Sequence, residues 1–268
     1  TTTLGAKAGF VTFWVILVSC AVKVAIQLEF GKQAIRTGET VFASLNKIGG
    51  PRFGKQKANW SLWTWLILWL FKPLQLGGII GGVAITLNIA FPSVSITWFA
   101  IMVGIVVATM VFKGYYFFIE KVSVALMLLF TAFTIAAVFM LQFTASAFTQ
   151  AEVFEGLRFK LPPAAVGYAI AAFGLTGVGG DEIVAYNYWC IEKGYARFTG
   201  PSENTDEWRK RARGWIKVMN LDAVLSMVVY TLVTAAFYLL GAAVLFKRGE
   251  VPGGFEMIET FSRMYTDY

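Results

Sequence analysis

The sequence predicts an all-α, polytopic membrane helix bundle of six spans, the fifth of them discontinuous. Three observations predict it. Hydrophobic residues make up 57% of the 268 residues, and the mean hydropathy is +0.64. Several apolar runs reach about 20 residues, the length that crosses a hydrocarbon core of about 30 Å. The stretch "GLTGVGGDEIVAY", Gly174 to Tyr186, sets four glycines and two adjacent carboxylates inside one of those runs. A β-barrel is excluded, because the apolar runs are continuous and do not alternate with period two.

The chain reads as a single transmembrane domain over residues 1–268. The first span is expected at about 8–30, and a polar stretch up to "KQKANW" follows it. The second, about 60–91, is long enough to tilt or bend and contains "FKPLQLGGIIGG". The third lies near 93–112, and the short link "KGYYFFIEK" leads to the fourth, about 120–146. The fifth is expected at about 163–190 and the sixth at about 214–246. In the tail, Phe255, Ile258 and Phe261 fall at helical spacing, which suits a helix lying on a membrane surface.

A net charge of +7 points to orientation rather than to nucleic acid. Counting the flanking Lys121 and Lys217, the first-to-second, third-to-fourth and fifth-to-sixth loops hold 15 Lys and Arg, against 6 on the other side. That split puts the basic loops in the cytoplasm and both ends outside. The basic run "EWRKRARGWIK" then reads as a flank that meets anionic lipid. The chain opens on "TTTLGAKAGF", with neither an initiator Met nor a signal-peptide pattern, so a helix is expected before Thr1. A bacterial inner, or cytoplasmic, membrane suits this pattern. Cys20 and Cys190 lie in apolar stretches and read as buried thiols, without disulfide or zinc spacing. The chain has no histidine, which excludes a Ser-His-Asp triad and His-ligated metal centres.

The glycine cluster is the most informative stretch. Glycine costs about 1 kcal/mol against Ala inside a helix, so Gly174, Gly177, Gly179 and Gly180 disfavour continuous helix. Close packing of helices by small residues is the alternative. The carboxylates favour a break, because a charge at the bilayer centre costs about 2.5 kcal/mol or more unless it faces a partner or a cavity. A helix that stops at "GVGG" and restarts at Asp181 frees carbonyls of Gly177, Gly179 and Gly180 for a cation. Asp181 is then an N-cap, a cation ligand or a proton acceptor. Glu182 is its electrostatic partner, or a first-turn acid favoured by the helix dipole. Tyr186 and Asn187, one turn on, could line the same cavity, though Tyr186 reads more readily as core packing. Lys72, beside Pro73, either snorkels or pairs with Asp181 or Glu182. Lys23 is expected near the cytoplasmic end of its span, snorkelling. Asp222 is expected to pair with Lys217, with a possible place in a proton path.

The ordered series of segments resembles the Nramp family of divalent-metal transporters. "FWVILVSCAVKVAIQLEFGKQAIRTGETVFASL" is similar to that family's second helix and the loop after it. "LGGIIGGVAITLNIAF" resembles the end of its third helix, and "KGYYFFIEKVSVALMLLF" its fourth-to-fifth link. "AFGLTGVGGDEIVAYNYW" falls where the family's sixth helix is broken, and "IKVMNLDAVLSMVVYTLVTAAFYLLGAAVLF" resembles the seventh. The resemblance implies a partial LeuT-like fold of inverted repeats, in which the half-broken first helix and the eighth to tenth helices are missing. The chain departs from the family pattern where the family's Met thioether ligand falls on Gly179 and its two histidines fall on Asp181 and Tyr186. The acidic residues usual in the family's third helix fall near Leu76 and Ile79. With oxygen donors in place of sulfur, a harder ion such as Mg²⁺ becomes a candidate beside Mn²⁺ and Fe²⁺.

The expected function is secondary transport of a divalent metal cation by alternating access, with proton coupling through a carboxylate rather than a histidine. The expected partners are the transported ion and the lipid bilayer, with no resident cofactor and no nucleic acid. The alternatives are an organic-solute carrier of the same fold and a non-transporting membrane protein. An integral membrane enzyme, with Asp181 and Glu182 as acid and base, lacks a nucleophile or metal cluster to support it.

Overall fold

The computed structural model describes residues 1–254 together with Glu256 and Thr260. Its helices run in chain order as α1 (Thr2–Ala8), α2 (Phe13–Thr37), α3 (Val41–Leu45), α4 (Trp60–Leu70), α5 (Lys72–Ala90), α6 (Ile96–Phe112) and α7 (Tyr116–Leu141). They continue as α8 (Gln150–Glu155), α9 (Val166–Leu175), α10 (Gly180–Glu192), α11 (Tyr195–Thr199) and α12 (Asp206–Leu240), which passes into a π turn, Gly241–Phe246. A two-residue β-hairpin, β1 (Arg52–Phe53) with β2 (Ala58–Asn59), sits before α4. Five stretches are long and apolar enough to cross a membrane, namely Phe13–Thr37, Trp60–Ala90, Phe118–Leu141, Pro163–Glu192 and Asp206–Phe246. The shorter Ile96–Phe112 is also apolar. The protein is thus an all-α polytopic membrane bundle. The expected surface helix through Phe255, Ile258 and Phe261 lies outside the described residues.

Helix α2 is the axis of the bundle. Its buried positions include Ile16, Ser19, Cys20, Lys23, Val24, Gln27, Gly31, Ala34 and Ile35, spaced three or four apart as one helical face requires. The first half of that face packs with α1, α9 and the π turn around Leu4, Ile16, Ala169 and Val244. The second half packs with α10 and the middle of α12 around Val24, Ile35, Tyr186, Cys190 and Met219. Gly31 makes the second contact possible. A Cβ there would collide with the Met219 sulfur and stand 2.9 Å from the Tyr186 ring.

Tyr238 ties the first half together. It is fully buried, and its hydroxyl donates to the Gly9 carbonyl at 2.5 Å and shares a hydrogen bond with Thr12 Oγ1 at 3.0 Å. Tyr238→Phe keeps the ring but leaves the Gly9 carbonyl and the Thr12 hydroxyl without this partner. The expected loss is about 1–3 kcal/mol, read as a lower midpoint in thermal unfolding of the detergent-solubilised protein. An unchanged midpoint would mean that the ring alone anchors this end.

Several elements depart from the expected spans: the first lies at Phe13–Thr37 rather than about 8–30, and the third is only 17 residues long, Ile96–Phe112. The second is interrupted at Phe71, which caps both α4 and α5, because Pro73 in the first turn of α5 cannot donate into the preceding turn. The sixth begins at Asp206, since Thr205 caps the polar segment through a hydrogen bond from the Trp208 N–H and the helix runs unbroken into the apolar part.

Candidate functional site

The fifth span is broken. Helix α9 stops at Leu175, Thr176 is extended at ψ 138°, and Gly177 takes a positive φ of 75°. Helix α10 begins at Gly180, with Gly179 as its N-cap. Gly177 is the position that requires glycine. Its φ is left-handed, and a Cβ would stand 3.1 Å from the Tyr230 ring and 3.2 Å from Cys20 Sγ.

The two acids at the restart take different roles, because adjacent helical residues face directions about 100° apart. Glu182 closes the N-terminus of α10, accepting a hydrogen bond from the Gly179 N–H at 2.7 Å. The expected N-cap, Asp181, is therefore corrected to Gly179, with Glu182 reaching back to it. Asp181 instead forms an ion pair with Lys72 at the start of α5. Both side chains stay partly open, 38% exposed for Asp181 and 29% for Lys72.

That pair sits at the edge of a cavity of about 830 Å³ between α3, α4, α5 and α10. From α10 the cavity receives Asp181, Val184, Ala185 and Tyr188, at i, i+3, i+4 and i+7. Phe42, Trp65 and Trp69 face them. Tyr186 and Asn187 occupy the opposite face of α10, which corrects their place in the transport path and bears out core packing for Tyr186. Tyr186 is buried over Gly31, beside Cys190 and Met219. Asn187 is fully buried and accepts from the Val41 N–H at 2.9 Å, while its amide donates to Gln33 and to the Glu39 carbonyl. It fastens the segment after α2 onto α10. No sequence motif singles out Trp65 or Trp69, whereas Tyr188 lies seven residues beyond Asp181 and so on its face.

The freed carbonyls are also distributed differently from expectation. The Gly179 carbonyl accepts from the Ile183 N–H at 3.0 Å, and Gly180 is already inside α10, so both serve the helix. The carbonyls left by the end of α9 are met from α2. Ser19 Oγ donates to the Phe173 carbonyl at 3.0 Å. Lys23 Nζ donates to Gly174 at 2.9 Å and to Thr176 at 2.6 Å. Lys23 is only 6% exposed, so it does not snorkel. The reason is its place: α2 begins at Phe13 and ends at Thr37, which puts Lys23 near mid-helix. Asp222 pairs with Lys193 at 2.7 Å rather than with Lys217, and it is not among the residues around the cavity.

Among the described residues there is no group of three or more Cys, Asp or Glu placed to hold a metal ion. A protein-family model described as "Natural resistance-associated macrophage protein-like", Nramp, matches residues 1–266. A comparison with curated proteins finds no match.

Proposed function

The chain belongs to the Nramp family, whose general activity is divalent metal ion transport, and from that premise we propose that it carries a divalent cation by alternating access about the break between Leu175 and Gly180. The family is one of transporters rather than enzymes. The single observation that carries the site assignment is the Lys72–Asp181 ion pair at the cavity edge. A carboxylate in an apolar groove between membrane-spanning helices needs a counter-charge. Lys72 supplies one when no ion is bound, and an arriving cation exchanges with it. Oxygen-only donors suit hard ions, which brings Mg²⁺ in beside Mn²⁺. With no histidine in the chain, a coupled proton has to travel on a carboxylate or an ammonium, and Asp181 and Lys72 are the pair at this cavity.

The test uses the purified full-length protein in liposomes, with uptake of Mg²⁺ and Mn²⁺ followed by an entrapped indicator. Asp181→Asn is expected to reduce uptake at least about tenfold, a loss of about 1.4 kcal/mol in the balance of states. Lys72→Gln removes the competing ammonium and is expected to tighten cation binding in calorimetric titration. Uptake indifferent to Asp181→Asn would remove the assignment.

A second reading is favoured by the size and lining of the cavity. Its volume of about 830 Å³ and its tryptophans suit an organic solute better than a bare ion. An organic-solute carrier of the same fold would use Lys72 and Asp181 to read opposite charges on a zwitterion. Competition of small zwitterions with Mg²⁺ uptake separates the two.

A further inference from the structure

We infer that Lys23 is a resident cation of the helix break: from α2, its ammonium fills a carbonyl site at the end of α9 that would otherwise take a small free cation.

A helix that ends inside a bundle leaves its last carbonyls unpaired, and its C-terminus carries partial negative charge. Nothing in a hydrocarbon surrounding satisfies either. Here one face of α2 answers both needs. Ser19 donates to the Phe173 carbonyl, and one turn further Lys23 donates to the carbonyls of Gly174 and Thr176. Cys20, between them, lies against Gly177, so the three side chains cover the end of α9 and the start of the break. Thr176 is itself buried. Glu182, across the break, adds a further negative charge that acts on Lys23. Converging carbonyl oxygens at a helix C-terminus, with a carboxylate nearby, are the donor set that coordinates alkali cations in discontinuous membrane helices. In this protein the cation is covalently attached.

Two consequences follow. The Gly174 and Thr176 carbonyls are closed to any transported ion, so the two sides of the break are chemically distinct: a fixed charge toward α2, an exchangeable one toward α5. The break also keeps its shape without a dissolved ion. Neither consequence depends on which solute crosses the membrane.

The experiment is thermal unfolding of the purified full-length protein in detergent, in sodium chloride, ethylammonium chloride and N-methylglucamine chloride at equal ionic strength. Wild type is expected to show the same midpoint in all three. Lys23→Ala is expected to fall by about 5 °C or more in N-methylglucamine, and to recover at least half of that loss in sodium or ethylammonium. A second readout covers poor yield of the variant: alkylation of Cys20 in membranes, followed by mass spectrometry. Cys20 should be protected in wild type in every salt, and in Lys23→Ala only when a small cation is present. A wild type that itself requires sodium, or a Lys23→Ala protein whose stability and Cys20 protection ignore all three cations, would overturn the proposal.

Discussion

Gly31→Leu is expected to separate the three helices that meet at the second half of α2, with a loss of about 3 kcal/mol or more. Met219, Tyr186 and Cys190 all close on Gly31, and even a methyl group would stand 2.9 Å from the Tyr186 ring and 3.4 Å from the Cys190 sulfur. Each neighbour belongs to a packed helix, so the strain cannot be relieved by one side chain turning away. Met219 is the most flexible of them, with an unbranched side chain. Met219→Ala in the Gly31→Leu background should therefore recover part of the loss, and the double-mutant cycle should show coupling above about 0.5 kcal/mol. Thermal unfolding with size-exclusion monodispersity measures both. A Gly31→Leu protein within about 2 °C of wild type would show that α10 and α12 do not close on α2 as described.

Gly177→Val is expected to cost stability and transport together. A left-handed residue with a Cβ costs roughly 1–2 kcal/mol, and a branched side chain fares worse. Added to that is contact with Tyr230 and Cys20, which already surround the glycine. The backbone must then leave a φ of 75°, and with it the path that joins α9 to α10. Uptake by the reconstituted protein should fall at least about tenfold, the same scale as loss of Asp181. Gly180→Ala is the control. It lies within α10, nothing stands within 4 Å of its added methyl, and it should be neutral or stabilising by up to about 1 kcal/mol. Equal losses from both substitutions would contradict a hinge confined to Gly177.

These two glycines show where the sequence is informative. The spans are legible because apolar length is a one-dimensional property, and hydrocarbon thickness sets its threshold. The break is legible for a similar reason, since four glycines and two charges sit within one short stretch. Partners are harder. Lys23 reaches carbonyls about 150 residues away, and no local pattern encodes that distance. A shift of a few residues in the bounds of α2 also changed its meaning, from a side chain at the membrane edge to one at the centre of the bundle. Nearness to Asp181 along the chain suggests Asn187 for the cavity, while Tyr186 reads more readily as core. Angle around α10 decides the matter instead, and it selects Tyr188 for the cavity. Lys72 and Asp181 did meet as one of the expected pairs, because two charges in apolar spans have few other ways to be neutralised.

Helix α12 contains 35 residues, about 52 Å of rod at 1.5 Å per residue, well beyond a hydrocarbon thickness of about 30 Å. Its polar first turns therefore stand clear of the lipid, like the handle of a lever. The same rod carries Tyr230 against Gly177. One continuous helix thus joins the polar segment around Trp208 and Arg211 to the elbow of the neighbouring span.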